Sequence, residues 1–434
     1  MRFRIHLIAA SLLMLLAIWL SSGTMYPYAS TWAFPVVSKS CRYLFNIDHA
    51  AYRAAFDMLD GGSRNQWEWS VVLRRILYPL VAFPFMKAAG FVVGGFIASA
   101  AINVASLNAL ALFLRRRWGE RVAVTGVWLL ATYPGVTYWG ALPYANATIV
   151  PASLGLFMLL TRLDEQTPLR SVVWNCLGMA VLFTAYDLLP YFGVAAILLL
   201  VRRRRWRAIP IAAACMASGP IIASLALAKI AHVPWSNANT DYYRIMLGAY
   251  LHPPPLAIWL RGVADFPAVL VSVFLFSNMV FLPVLFLIVL LIARARLSAV
   301  EGLLLLALGV VFAFNNLVPP YPETADMRGS SMARIYQPGG VALIVYCARV
   351  IGGENTTRDR AKALFINTLF ALTLAANLSV AFGPIARLPW AGRIYQRFYM
   401  HSFLDTMDTN LERHGRRPLG FCRPEVRSDA TRRE

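Results

Sequence analysis

Charge is what this sequence has least of. Only 14% of its 434 residues are Asp, Glu, Lys or Arg, whereas 59% are hydrophobic and the mean hydropathy is +0.57. Soluble domains carry about a quarter charged residues, so a water-soluble globule is excluded, and the long uncharged runs place the chain among polytopic membrane proteins. Lysine is scarcer still, four among 41 basic residues, a bias of GC-rich bacterial genomes. The five cysteines form no Cys-x-x-Cys or Cys/His spacing, which leaves no metal or redox motif in view. Cys176, Cys215 and Cys347 fall in apolar runs and read as core packing. Cys41 and Cys422 fall on the oxidising side of the topology below, which makes a disulfide between them a hypothesis; an unchanged non-reducing gel on mutating either would sink it. Nor is there an internal repeat, which counts against the duplicated halves of many transporters.

The net charge of +20 is concentrated in short runs, such as Arg115–Arg121 and Arg202–Arg207, wedged between apolar stretches. That is the positive-inside pattern of cytoplasmic loops, not a nucleic-acid surface, and no nucleic-acid partner is expected. Residues 5–21 follow Arg2 and Arg4 without a small-x-small cleavage site, so they read as an N-in anchor instead of a signal peptide. Residues 22–75 then lie outside, rich in interfacial aromatics, with a helical piece at 50–59 that ends at Gly61-Gly62. Residues 67–87 read as an interfacial or re-entrant piece, and 88–114 as the return span.

Further spans follow at 122–138, 148–161, 208–230, 266–292, 297–317, 335–346 and 363–382. Residues 171–201 are too long for one pass and begin and end at basic loops. Two short passes are predicted there, with Asp187 and Pro190 at the external turn, because a carboxylate at mid-depth is expensive. The fold class is therefore all-α, a polytopic transmembrane bundle of about 11 spans over residues 1–382. An external polar tail over 383–434 completes the expected organisation. The loops assigned inside hold 17 Lys and Arg, and the external turn 138–147 none.

Acidic residues cluster outside. Asp48 and Tyr52 fall one helical turn apart just after the first span, and Asp48 also reads as an N-cap for the 50–59 helix. Asp57 and Asp60 read as a solvated helix end, and His49 as a surface histidine. Arg74 and Arg75 precede the next apolar run, Asp187 sits among apolar neighbours, and Arg328 and Arg334 lie in a late external loop, 319–334. A carboxylate with arginines at one membrane face suits a lipid-linked phosphosugar. One carboxylate takes a proton from an acceptor hydroxyl, and guanidinium forks hold the leaving phosphate.

In this the chain resembles the GT-C superfamily of integral-membrane glycosyltransferases, bacterial mannosyltransferases among them, which use polyprenyl-phosphate sugars. The resemblance rests on the early Asp48 with Tyr52, the R-x-L-Y-P-L element within 74–80, the Asn103/Asn108 span ending in 115–120, and the turn at 186–190 before an arginine-rich loop. It implies Asp48 as general base and Arg328 and Arg334 as the arginines that bind phosphate; Tyr52, Arg74, Arg75 and Asp187 read, from their positions at the same face, as further substrate-binding residues. It further implies a lipid-linked donor, a glycan, lipid or protein acceptor, and an inner-membrane protein with its site on the periplasmic face. No cofactor or metal is expected. The first external loop has no Asp-Asp or Asp-x-Asp pair and the chain no WWDYG-type motif, which argues against an oligosaccharyltransferase. A transporter or flippase of lipid-linked glycans, and a glycan polymerase or ligase, remain the alternatives.

Overall fold

A computed structural model of the chain describes residues 2–25, 52, 55–61, 75–137, 140, 144–164, 168–186, 189–231, 260, 281–317, 325–353 and 360–382. Among these residues the fold is all-helical, with no strand. In chain order the helices are α1 (Arg2–Met25), α2 (Leu77–Ala89), α3 (Phe91–Trp118), α4 (Glu120–Thr132), α5 (Pro134–Thr137), α6 (Asn146–Asp164) and α7 (Leu169–Phe183). There follow α8 (Phe192–Arg202), α9 (Ala208–Ala231), α10 (Phe281–Ala293), α11 (Ala299–Leu317), α12 (Ala325–Gly352) and α13 (Arg360–Phe382).

Four of them, α1, α3, α6 and α13, contain stretches long and apolar enough to cross a membrane. Apolar outer faces agree with that reading: Ile8 and Leu12 on α1, Ile97 and Leu112 on α3, and Leu364 and Leu372 on α13 are all exposed, as are Ile222 on α9 and Leu291 on α10. Water does not tolerate an apolar surface of this extent, whereas lipid does. The innermost of the four is α6, 72% buried over its span, against 28% for α1 and 17% for α13. It packs on α3, α7, α8 and α12, while α4 joins α12 to α1 and α3.

Sequence sets the breaks. Gly90 (φ +80) separates α2 from α3 and Gly119 (φ +92) separates α3 from α4, both in a region that residues with a Cβ rarely enter. Tyr133 leaves α4 extended because Pro134 follows it. Close approach explains other glycines: a Cβ on Gly219 of α9 would lie 2.2 Å from the Ala180 carbonyl oxygen of α7. Because a backbone atom cannot step aside as a side chain can, Gly219→Ala is expected to cost about 1–3 kcal/mol. Thermal unfolding in detergent reads this, and an unchanged midpoint would contradict the contact.

The basic loops gather at one end of the bundle. Arg115 at the end of α3 lies over Phe3 of α1, 4.8 Å from the ring centroid, Arg203 after α8 bridges Asp164 of α6 at 3.0 Å, and Arg349 near the end of α12 bridges Glu301 of α11 at 2.8 Å. The break expected within 171–201 is present, α7 and α8 being two separate helices. One expectation is corrected. Arg328 and Arg334 stand in α12, which already begins at Ala325, and not in a loop. The prolines Pro319, Pro320 and Pro322 all precede that start, and the residues after them hold no further proline until Pro338, which the helix accommodates along with Gly329. Asn146 and Asn377, each in a glycosylation sequon, are buried in helices and out of reach of a glycan.

Candidate functional site

At the end away from the arginine clusters, α2 folds back along α3. The Tyr78 hydroxyl donates to the Gly95 carbonyl at 3.1 Å and lies 3.3 Å from Ser99 Oγ. Gly94 permits this approach, since a Cβ there would meet the Phe85 carbonyl oxygen at 2.2 Å. Against the hairpin packs the helical segment 55–59, closed by Gly61 (φ +88), with Asp60 paired to Lys87 of α2 at 2.6 Å. This fits the solvated helix end expected of Asp57 and Asp60, both of which are exposed.

Tyr52 does not face solvent. It is buried, stacked on Tyr144 with ring centroids 5.3 Å apart and edge-on to Tyr78 at 5.9 Å. From Tyr78 a polar seam runs inward: Asn103 Nδ2 donates to the Ser99 carbonyl at 2.8 Å and to the Gly140 carbonyl at 3.3 Å. Across α5, Tyr133 donates its hydroxyl to the Gln337 carbonyl of α12 at 3.4 Å. Gly340 makes room for that tyrosine, as a Cβ there would fall 2.3 Å from the hydroxyl oxygen.

The seam is not saturated. Gln337 is fully buried, and neither of its side-chain amide atoms finds a partner among the described residues; Asn103 Oδ1 and Asn146 Nδ2 are in the same condition. A buried polar atom left unbonded costs about 1–3 kcal/mol. Amides of this kind in an apolar bundle can bond a hydroxyl of a ligand or a water, and Asn175 and Asn377, elsewhere in the bundle, carry unbonded amide atoms as well.

Beside the hairpin, Arg75 precedes α2 and lies over the ring of Tyr186, 4.5 Å from its centroid. The Leu77 amide donates to the Thr184 carbonyl at 3.3 Å, so the start of α2 is pinned to the α7–α8 turn. Tyr186 is the residue before Asp187, and the two sequence elements that bracket it, 75–80 and 185–190, therefore come together. From Leu77 an apolar groove of about 370 Å³ opens between α2, α3, α6 and α7, lined by Val81, Ala109, Pro151, Met158 and Leu182 among others. Arg75, half-buried, stands two residues before Leu77 of that lining, so a guanidinium and an apolar groove lie close along the chain, a pairing that suits an anionic head and a hydrocarbon tail.

Of the predicted site residues, Tyr52 and Arg75 are thus placed at this end. Asp48, Arg74 and Asp187 lie outside the described residues, as do His49, Cys41, Cys422 and the tail 383–434. Arg328 and Arg334 are fixed only as positions in the first turns of α12, on the N-terminal side of Gln337. Tyr78, Ser99, Tyr133, Tyr144 and Gln337 were not predicted as site residues. Tyr78 and Asn103 do stand in the motifs that carry the GT-C resemblance, whereas nothing local marks Tyr133 or Gln337. Among the described residues no group of three or more His, Cys, Asp or Glu is placed to hold a metal ion. No protein-family model, curated protein or solved structure matches the chain.

On the transferase reading proposed below, Arg75→Gln is expected to raise KM for a polyprenyl-phosphate sugar about tenfold, the scale of a lost charge-assisted hydrogen bond, while the unfolding midpoint stays near wild type. Steady-state kinetics at varied donor reads it, and an unchanged KM would remove Arg75 from the site.

Proposed function

We propose that the chain is an eleven-pass membrane glycosyltransferase of the GT-C type, moving a sugar from a polyprenyl-phosphate donor to an acceptor on the non-cytoplasmic face. The observation that carries the reading is the meeting with Tyr186 of Arg75, which stands two residues before Leu77 of the apolar groove lining, together with the buried tyrosine and amide seam. The groove takes the lipid tail, the guanidinium takes the phosphate, and the seam, with Tyr52 as its outermost member, takes sugar hydroxyls.

Chemistry then needs one base. Asp48 stands four residues before Tyr52 and accepts the proton of the acceptor hydroxyl as that oxygen attacks the anomeric carbon. The bond from that carbon to the phosphate oxygen breaks, and polyprenyl phosphate leaves with the electron pair. Arginines stabilise the phosphate dianion, Arg75 first, with Arg74, Arg328 and Arg334 as further candidates. A single displacement of this kind inverts the anomeric configuration.

Ion-coupled transport is supported less well. It calls for carboxylates at mid-depth on the path, and the one fully buried carboxylate among the described residues, Glu301, is engaged by Arg349 at the arginine-rich end. The test is transfer by the purified protein in nanodiscs supplied with a panel of polyprenyl-phosphate sugars and a membrane extract as acceptor source. Transfer from one donor is the expected result. Absence of both product and donor binding across the panel would overturn the proposal.

A further inference from the structure

A second cleft lies at the opposite, arginine-rich end, about 840 Å³ in volume, where the α3–α4 turn meets the end of α10 and the last turn of α12. Its walls include Trp118, Glu120, Arg121, Val122, Ala293 and Arg349. The volume is that of a ligand site and not of a packing defect. Gly119, which has open space where a Cβ would stand, keeps one wall clear of side chains.

The arginines here divide into two kinds. Arg349 is committed: its guanidinium binds both oxygens of Glu301 and also donates to the Arg296 carbonyl at 2.9 Å. Arg121 is exposed and makes no ion pair among the described residues. Arg117, Arg294 and Arg296, all exposed, each stand next in sequence to a residue of the lining, and the acidic residue in the lining is Glu120. The Arg117 guanidinium lies over Trp118, 5.4 Å from the ring centroid. A tryptophan flanked by arginines at the end of a membrane-spanning helix sits at headgroup depth. The cleft is therefore cationic at its rim and apolar on its floor, at the level where lipid phosphates lie.

We propose that this cleft binds the headgroup of an anionic phospholipid, with the phosphate on Arg121 and the acyl chains running over Trp118 and Ala293. Charge complementarity selects an anionic lipid over a zwitterionic one, and the apolar floor selects a lipid over a free phosphate. The site lies at the other end of the bundle from the transferase site and stands or falls without it.

Native mass spectrometry of the full chain tests this, released from mixed micelles that contain phosphatidylglycerol and phosphatidylcholine in equal amounts. Wild type is expected to retain phosphatidylglycerol selectively, and Arg121→Gln to retain about fivefold less, the scale for one cation at a lipid surface. Arg207→Gln, which removes an exposed arginine of the same end but outside the cleft, is the control expected to behave as wild type. Equal losses in the two variants would reduce the effect to net charge and overturn the proposal. Displacement of the lipid by millimolar glycerol 3-phosphate would assign the site to a free phosphate and overturn it as well. Because the readout is lipid retention and not sugar transfer, its failure is separate from failure of the transferase reading.

Discussion

Glu301→Ala is expected to destabilise the protein by about 3–5 kcal/mol, the typical cost of stripping one partner from a buried ion pair. Glu301 is fully buried, and its carboxylate accepts from Arg349 Nη2 at 2.8 Å and from Nε at 3.3 Å. It does a second job at the start of α11. The Ser298 amide donates to Glu301 Oε2 at 2.7 Å while Ser298 Oγ accepts from the Glu301 amide at 3.2 Å, a reciprocal capping box that sets where the helix begins. The same turn is held from α12 by the Tyr346 hydroxyl, which donates to the Ala295 carbonyl at 2.8 Å. Alanine would thus leave Arg349 partly buried without its counter-charge and the first turn of α11 uncapped. The paired change Glu301→Leu with Arg349→Met removes both charges together and is expected to recover much of the loss, since an apolar pair avoids the desolvation that the ions incur. Unfolding in mixed micelles across this double-mutant cycle reads the coupling. Additive single effects, with no recovery in the double variant, would contradict it.

How far the sequence discloses the structure differs from element to element. The break between α7 and α8 is legible because a run of about 31 residues between two basic loops has to turn, and Pro190 and Asp187 mark where. Arg75 is legible for a similar reason: a charge held just before a short apolar helix has to stay near the headgroups, and it sits at the turn. The start of α12 is not legible, because Asp326, Arg328, Ser330 and Ser331 read as loop on polarity alone, while a helix needs only the absence of breakers and neighbours to pack on.

The polar seam is hardest to read. Tyr133 and Gln337 are 204 residues apart, and only the crossing of α12 past α5 brings them together. Tyr52 shows the opposite case, a position singled out in the sequence whose surroundings the sequence does not convey. It reads as one face of an external helix and is in fact sealed between Tyr144 and Tyr78. Arginine loops disclose which ends of helices lie together, because charge sorts by side of the membrane. They say nothing of which helix is central, which packing decides.

The central claim is that Asp48 is the base of a glycosyl transfer at the arginine-poor face. Removing a general base costs about a hundredfold or more in rate, because the acceptor hydroxyl then attacks while still carrying its proton. Asn keeps the shape of Asp and can still cap a helix, so Asp48→Asn separates proton transfer from helix start. The measurement is the initial rate of transfer in nanodiscs, wild type beside Asp48→Asn, at saturating donor and with donor binding measured on the same samples. A loss of about a hundredfold in rate with donor affinity unchanged is the predicted result. Transfer that survives Asp48→Asn at near wild-type rate would contradict the account.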